Sequence, residues 1–342
     1  MPHTSRPCSL RVTHRVSDSE EKPKAARNRQ PTRSSAATRP GRRAALYRGG
    51  MTLPARDTTV LYPSGALENT TTVLHVDALG DGRAAVLLEA TSFHPRDDTW
   101  PDQGADTGEL LVGDSRVPIV DAVVAATDGT ALHLGREVPV RKGTEGWAFV
   151  VAHLVDATGA PSEGDTVTVR ADGGHRRALS IGHTACHLAS LALNAALASA
   201  WRKEVQPDAA GSPDFDALAI ETSTITAHGS VDVYRIGKSL RRKGFDPAAL
   251  DDAQAVGSAV NARLAEWTAA GIPITIETDG PGLTERRRWR AELPDGVVAI
   301  PCGGTHVSST DETGSITVDL ETSPEDGAVR LVMTTRAHPP RP

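Results

Sequence analysis

The sequence predicts an α+β protein in two parts, a small β-barrel over residues 51–172 and an α+β sandwich over residues 173–342. Three observations predict it. Short strand-like runs separated by Gly, Asp and Pro fill the first part with no long helix among them. An Ala/Leu-rich helical run opens the second part, and a further helical run there is flanked by alternating β segments. The 342 residues are 39% hydrophobic, enough for two packed cores.

Residues 1–50 stand apart from both. They are rich in Arg, Ser, Thr and Pro and carry 12 Lys/Arg against 3 Asp/Glu, so they read as a disordered basic tail or as an over-extended start with the initiator at Met51. A transit peptide or an RNA-touching arm is the competing reading. The rest of the chain carries 25 Lys/Arg against 40 Asp/Glu. A body that acidic holds no polyanion by overall attraction, so any nucleic-acid contact must use local basic patches. No apolar run approaches the roughly 18 residues that cross a bilayer. The cysteines, Cys8, Cys186 and Cys302, are too scattered for a disulfide framework. A cytoplasmic protein with no membrane and no obligate protein partner is the expectation.

In the first part, strands are predicted at Thr72–Val76, Ala85–Ala90, Glu109–Val112, Val117–Val120, Ala131–Leu134 and Thr166–Val169, with Gly80-Asp81-Gly82 as a turn. The part ends near Asp172-Gly173-Gly174. The first helix of the second part bears His183 and His187 and runs to about Trp201. A second helix is signposted by Asp246 as cap, Pro247 in the first turn and Gly271 as stop. Strands are expected at 230–234, 273–276, 315–318 and 329–332.

The chemistry begins at His183-Thr184-Ala185-Cys186-His187. Positions i and i+4 share one face of a helix, so both imidazoles can turn to one point. Alone, such a pair is more often packing than ligation. Far downstream, Cys302-Gly303-Gly304-Thr305-His306 offers a thiolate and a third imidazole from a Gly-rich turn, and the four side chains match the nitrogen and sulfur set that zinc prefers. One Zn2+ per chain is expected on His183, His187, Cys302 and His306. His306 either completes a closed tetrahedron or leaves a position open to water. Two other zinc signatures fail: the H-E-x-x-H type needs Glu where Thr184 stands, and the nucleobase deaminases need a second Cys where Thr305 stands.

Two short motifs are set aside. Gly237-Lys238-Ser239 lacks a glycine at the spacing a phosphate loop needs, and Asp97-Asp98 reads as a loop, not a magnesium site.

The H-T-A-x-H helix followed by C-G-G-T-H-V resembles the editing domain of alanyl-tRNA synthetase and its free-standing AlaX-type relatives, over roughly Thr58 to Ala337. Phe93-His94-Pro95, Gln103 and Asp106-Thr107-Gly108 are similar to the family's F-[YH]-P-x-G-G-G-Q-P-x-D-T-G. Arg286-Arg287-Arg288-Trp289 and Thr310–Ile316 follow the family's order. The triple glycine is replaced by Trp100-Pro101-Asp102, and Gly104 stands where Pro is usual.

The resemblance implies a translation-factor-like barrel joined to an editing domain, and an aminoacyl-tRNA hydrolase that uses zinc. Without a synthetase catalytic core it would act in trans on the acceptor end of mischarged tRNA. tRNA-Ala carrying Ser or Gly is the default substrate; the altered loop favours, as an alternative, removal of a non-standard amino acid such as a halogenated threonine. A zinc hydrolase of small esters or amides without RNA is the reading from another class, and an RNA-binding module with structural zinc is a third. Thr184, Thr305 and Gln103 are the candidates for contacting substrate, with helix capping, turn formation and a surface turn as their plain readings. Three basic clusters are candidates for tRNA contact: Arg176 and Arg177; Arg241, Arg242 and Lys243; Arg286, Arg287 and Arg288. Charge runs of this length are usually solvated faces.

Overall fold

Continuous apolar runs such as Ala148–Asp156 and alternating runs such as Thr166–Ala171 become neighbours in one sheet. The computed structural model describes residues 53–340; the reading of residues 1–50 lies outside them. In the N-terminal part the strands lie side by side in the order Ser115–Ile119, Gly108–Val112, Thr166–Ala171, Glu68–Ala78, Arg83–Leu88, Ala148–Asp156, Asp121–Thr127 and Leu132–Leu134. Neighbours in this eight-stranded sheet are antiparallel throughout. The sheet curls, and Val120 N–H at its first edge donates to Leu154 O. A curled sheet thus stands where the sequence predicts a small barrel.

Val86, Leu88, Phe93, Leu110, Phe149, Val151 and Val169 fill the inside of the curl. Burying each such side chain contributes about 1.5–3 kcal/mol. The strand Ala148–Asp156 is buried on both faces over Ala148–Val155, as is most of Arg83–Leu88. Such strands lose the two-residue alternation that marks a half-buried strand.

Among the described residues four segments are α-helical: α1 Gly173–Ala196, α2 Phe215–Ala219, α3 Lys238–Arg242 and α4 Ala253–Ala269. Asp172 caps α1 by accepting from His175 N–H. Leu188, Leu191, Leu193 and Leu197 carry its apolar face into a second core with Tyr234, Val260, Leu264 and Trp267. A four-stranded antiparallel sheet, in the order Ile220–Thr226, Gly229–Ile236, Ala328–His338 and Ser315–Glu325, packs against α1 and α4. A second sheet joins Ile274–Thr278, Arg287–Leu293 and Gly296–Pro301. The result is mixed α/β, with helices laid on sheet in the C-terminal part.

Two expected boundaries move. Helix α1 ends at Ala196, and a separate 3-10 turn follows at Ala198–Ala200. Asp246 and Pro247 open only a 3-10 turn, Pro247–Leu250; the cap of α4 is Asp252, which accepts from Ala255 N–H. The Asp-Pro pair fits the first turn of either helix type, so it marks a start without fixing its length.

The two parts are joined by buried polar contacts. Asp106 accepts from His94 N–H and from the Arg176 guanidinium, which also donates to Ser92 O. Val60 N–H donates to Pro281 O, and Leu283 N–H to Thr58 O. Ile225 N–H donates to Asp102 O, tying the 97–106 loop to the C-terminal sheet.

Candidate metal centre

About two and a half turns into α1, Gly182 lets the helix lie directly on the chain near Gly229. A Cβ there would meet the Gly229 backbone at 2.6 Å, so only glycine fits this approach. The contact fixes the rotation of α1 and sends His183 and His187 toward the turn that follows the strand Gly296–Pro301. From that turn come Cys302 and His306. The ligating atoms of His183, His187, Cys302 and His306 all lie within 4.8 Å of one another.

The distances suit a small cation. Cys302 Sγ is 3.5 Å from His183 Nε2 and 3.2 Å from His306 Nε2. A tetrahedral zinc with bonds of ~2.0–2.3 Å spaces its ligands roughly 3.3–3.6 Å apart. His187 Nε2 is shut off from solvent and has no hydrogen-bond partner. An orphaned buried nitrogen costs stability unless something binds it, and the centre of the group is where that something fits. Burial, followed by the neighbouring imidazoles, holds His183 and His306 well below the usual histidine range, and burial lowers His187 to about 4. All three rings are therefore neutral at pH 7, as ligation requires. Burial pushes the Cys302 thiol up to about 12, so the sulfur ionises only when a cation stands beside it.

Gln103 determines which nitrogen of His183 is free. Its Oε1 accepts from Thr305 N–H at 3.0 Å, and a backbone N–H can only donate. The same Oε1 lies 2.7 Å from His183 Nδ1, so Nδ1 carries the proton and Nε2 faces the centre with its lone pair. Gln103 Nε2 donates to Thr305 Oγ1, which also accepts from Ser180 Oγ. Gly304 sits against this arrangement, where any Cβ would overlap the His183 ring and Gln103 Oε1. Thr184 Oγ1 accepts from Val307 N–H and lies 3.2 Å from His306 Nδ1. With His306 Nε2 turned to the centre, Nδ1 donates to that hydroxyl. Thr184, Thr305 and Gln103 are all buried and hold supporting bonds around the candidate ligands, and Gln103 also lines the neighbouring cavity.

Beside the centre lies a cavity of about 680 Å3, between the two parts. Tyr62, His94, Trp100 and Asp102 line it from the N-terminal side, and Arg286, Cys302 and Gly303 from the other. Asp102 is the residue that sequence reasoning passed over, visible there only as a departure from a glycine. Its Oδ2 is 3.5 Å from His183 Nε2, and burial pushes the carboxyl up to about 6. Cys186, one residue before His187, turns away from the centre toward Asp232 and Ser223.

The basic clusters divide. Arg176 and Arg287 correct the expectation of exposed charge, since both are buried. Arg176 is spent on Asp106 and Ser92 O, and Arg287 on Gly282 O and Leu283 O. Arg177 is exposed and paired with Glu312, and Arg288 is paired with Asp279 at 3.2 Å. Arg286 is exposed at the cavity and, among the described residues, has no ion-pair partner. Arg241, Arg242 and Lys243 lie at the end of α3, the first two at a different, shallower depression. Asp97 and Asp98 are loop anchors, to Lys142 and Arg96. No helix among the described residues is long and apolar enough to cross a membrane.

No family model matches the chain. It is 28% identical over 281 residues to an alanine–tRNA ligase of Halorubrum lacusprofundi, a match covering 82% of this chain and 26% of that protein. To the alanine–tRNA ligase of Halobacterium salinarum it is 26% identical over 259 residues, 75% of this chain and 23% of that protein. The corresponding protein of Haloquadratum walsbyi is 28% identical over 254 residues. The chain spans about a quarter of the length of the curated relatives it matches. It is similar to a segment of alanine–tRNA ligases, in keeping with the likeness to their editing domain carried by its histidine helix and Cys-Gly-Gly-Thr-His turn.

Proposed function

We propose that this protein hydrolyses the ester bond of mischarged aminoacyl-tRNA in trans, with zinc held by His183, His187, Cys302 and His306. tRNA-Ala carrying Ser or Gly is the first substrate to test. The observation that carries the reading is Gln103, which lines the cavity and links the N-terminal loop to the buried His183 and Thr305 behind it. A loop that orients a metal ligand and also lines a pocket of about 680 Å3 suits a site for a small acyl group on a larger carrier.

An aminoacyl ester is already activated, so the protein needs chiefly to position the acyl carbon and a water and to stabilise developing charge. When bound, zinc supplies Lewis acidity at the cavity floor. Gln103 and Thr184 keep the ring protons of His183 and His306 on the nitrogens away from the centre. Gly303 has open space around its Cα, leaving room for substrate beside Cys302. Arg286 at the cavity, with Arg241, Arg242 and Lys243 on α3, offers positive charge to the phosphates of the acceptor end.

One observation favours the narrower reading of a non-standard amino acid such as a halogenated threonine. Trp100 and Asp102 place an aromatic edge and a carboxylate on the cavity wall where the related motif has only glycine.

The test is a deacylation panel with tRNA-Ala and tRNA-Thr charged with Ser, Gly, Ala, Thr or analogues, with zinc content measured in parallel. Cys302→Ala is expected to lose zinc and hydrolysis together; wild-type turnover by that variant overturns the proposal. Equal rates on free aminoacyl esters would move the protein to the small-ester class.

A further inference from the structure

We propose that Asp102 is a specificity residue that receives the protonated α-amine of the aminoacyl group. This rests on the deacylase reading above and names the chemical feature the cavity selects.

Three carboxylates line the cavity, and they are not equivalent. Asp97 is held by Lys142 at 2.5 Å. Glu285 is exposed, where water stabilises its charge. Asp102 differs from both: its side chain is only 20% exposed, no Lys or Arg among the described residues reaches it, and the nearest basic group is His183 Nε2 at 3.5 Å. Its neutral donors are Trp100 Nε1, at 2.8 Å from Oδ2, and Gln103 N–H, at 2.8 Å from Oδ1. A carboxylate has about four lone-pair positions, so two accept these bonds and two are left. Those two positions can accept a further cationic donor from the cavity side.

The position of that cation is restricted. Oδ2 lies 3.5 Å from His183 Nε2, at the edge of the donor set and on the cavity wall. The Asp102 backbone is locked, because its carbonyl accepts from Ile225 N–H at 2.8 Å while the next residue, Gln103, is tied to Thr305 and His183. With its two oxygens also held by Trp100 Nε1 and Gln103 N–H, the carboxylate stands at a defined place beside the centre. An α-aminoacyl ester whose carbonyl lay beside the donor set would carry its α-amine two bonds from the carbonyl carbon, within reach of that wall. An ammonium accepts this carboxylate as a charge-assisted partner, and an acyl group without the amine leaves it bare. The inferred substrate class is thus α-aminoacyl esters, with N-blocked and α-hydroxyacyl esters excluded.

The experiment uses the zinc-loaded full chain and a non-hydrolysable probe, 3′-seryl-amido-3′-deoxyadenosine, alongside its N-acetyl derivative. Kd for both is measured by calorimetry, together with zinc content. Asp102→Asn removes the charge but sets an amide N–H against Trp100 Nε1, so the comparison is also made between Trp100→Phe and the double variant Trp100→Phe/Asp102→Asn. The wild type and Trp100→Phe are expected to prefer the free amine by roughly tenfold or more. Loss of that preference in the Asn variants, with zinc retained, supports the assignment. An unchanged preference overturns it, and so does loss of zinc in the Asn variants, which would make Asp102 a ligand. If the wild type binds neither probe and deacylates no charged tRNA, the deacylase reading itself has failed; hydrolysis with an unaltered amine preference fails the Asp102 assignment alone.

Discussion

The two parts of the molecule contribute to the centre in different ways. The C-terminal part supplies every candidate ligand, two from α1 and two from the 302–306 turn. The N-terminal part supplies no ligand, yet Gln103 fixes the tautomer of His183 and Asp102 faces the same nitrogen. The ligating side is stiff because helix and turn are packed into one core. The supporting side is a loop pinned at a few polar points, chiefly Asp106, Gln103 and the Asp102 carbonyl. Ligand identity and ligand orientation are thus encoded in separate stretches of chain, and each can be lost without the other.

The pin at Asp106 should show the largest effect. Asp106→Ala leaves the buried Arg176 guanidinium without its carboxylate, and unfolding by urea should register a loss of about 3–5 kcal/mol. An unchanged midpoint would mean that the two parts dock without this pair.

Acidification should come next, and its share in the N-terminal part can be isolated at His153. His153 is fully buried; its Nδ1–H donates to Val86 O and its Nε2 accepts from Thr91 Oγ1. Burial lowers it to about 4, from an unfolded value near 6.5. A depressed folded value means that its contribution is complete above pH 6.5 and is lost as pH falls through 4. Wild type should lose roughly 3 kcal/mol relative to His153→Gln between pH 6.5 and 4, read from paired thermal melts. Parallel melts across that range would remove His153 from the account.

The smallest effect sharpens the contrast most. Gln103→Ala keeps all four candidate ligands but frees the His183 ring, so zinc affinity should fall about 10–100-fold, with about 1–3 kcal/mol of stability lost at the unpaired Thr305 N–H. Competition with a chromophoric chelator measures this directly. Affinity equal to wild type would place the whole centre in the C-terminal part.

How much was legible in the sequence follows the same division. The cluster of candidate ligands could be read because a four-residue spacing on a helix and a Cys-x3-His turn are local patterns. Gln103 could be found from its motif, but its role could not, since its partners lie 80 and 202 residues away. The basic clusters misled because adjacency does not give sidedness. Arg287 points inward on a strand whose neighbours Arg286 and Arg288 point out, and Arg176 is turned about 100° from Arg177 on α1. The strand Ala148–Asp156 escaped notice because burial on both faces erases its alternation. Asp102 had no pattern at all, because its importance comes from where the loop folds.

The double bond acceptance at Gln103 Oε1 also has a consequence for the order of assembly. During synthesis the loop residue is made first, His183 arrives 80 residues later, and Thr305 arrives 202 residues after the loop. The histidine pair is therefore made well before both the sulfur of Cys302 and the Thr305 N–H that holds the Gln103 amide. The turn at residues 302–306 is the last piece of the four-residue cluster to be made, so the cluster is complete only late in synthesis.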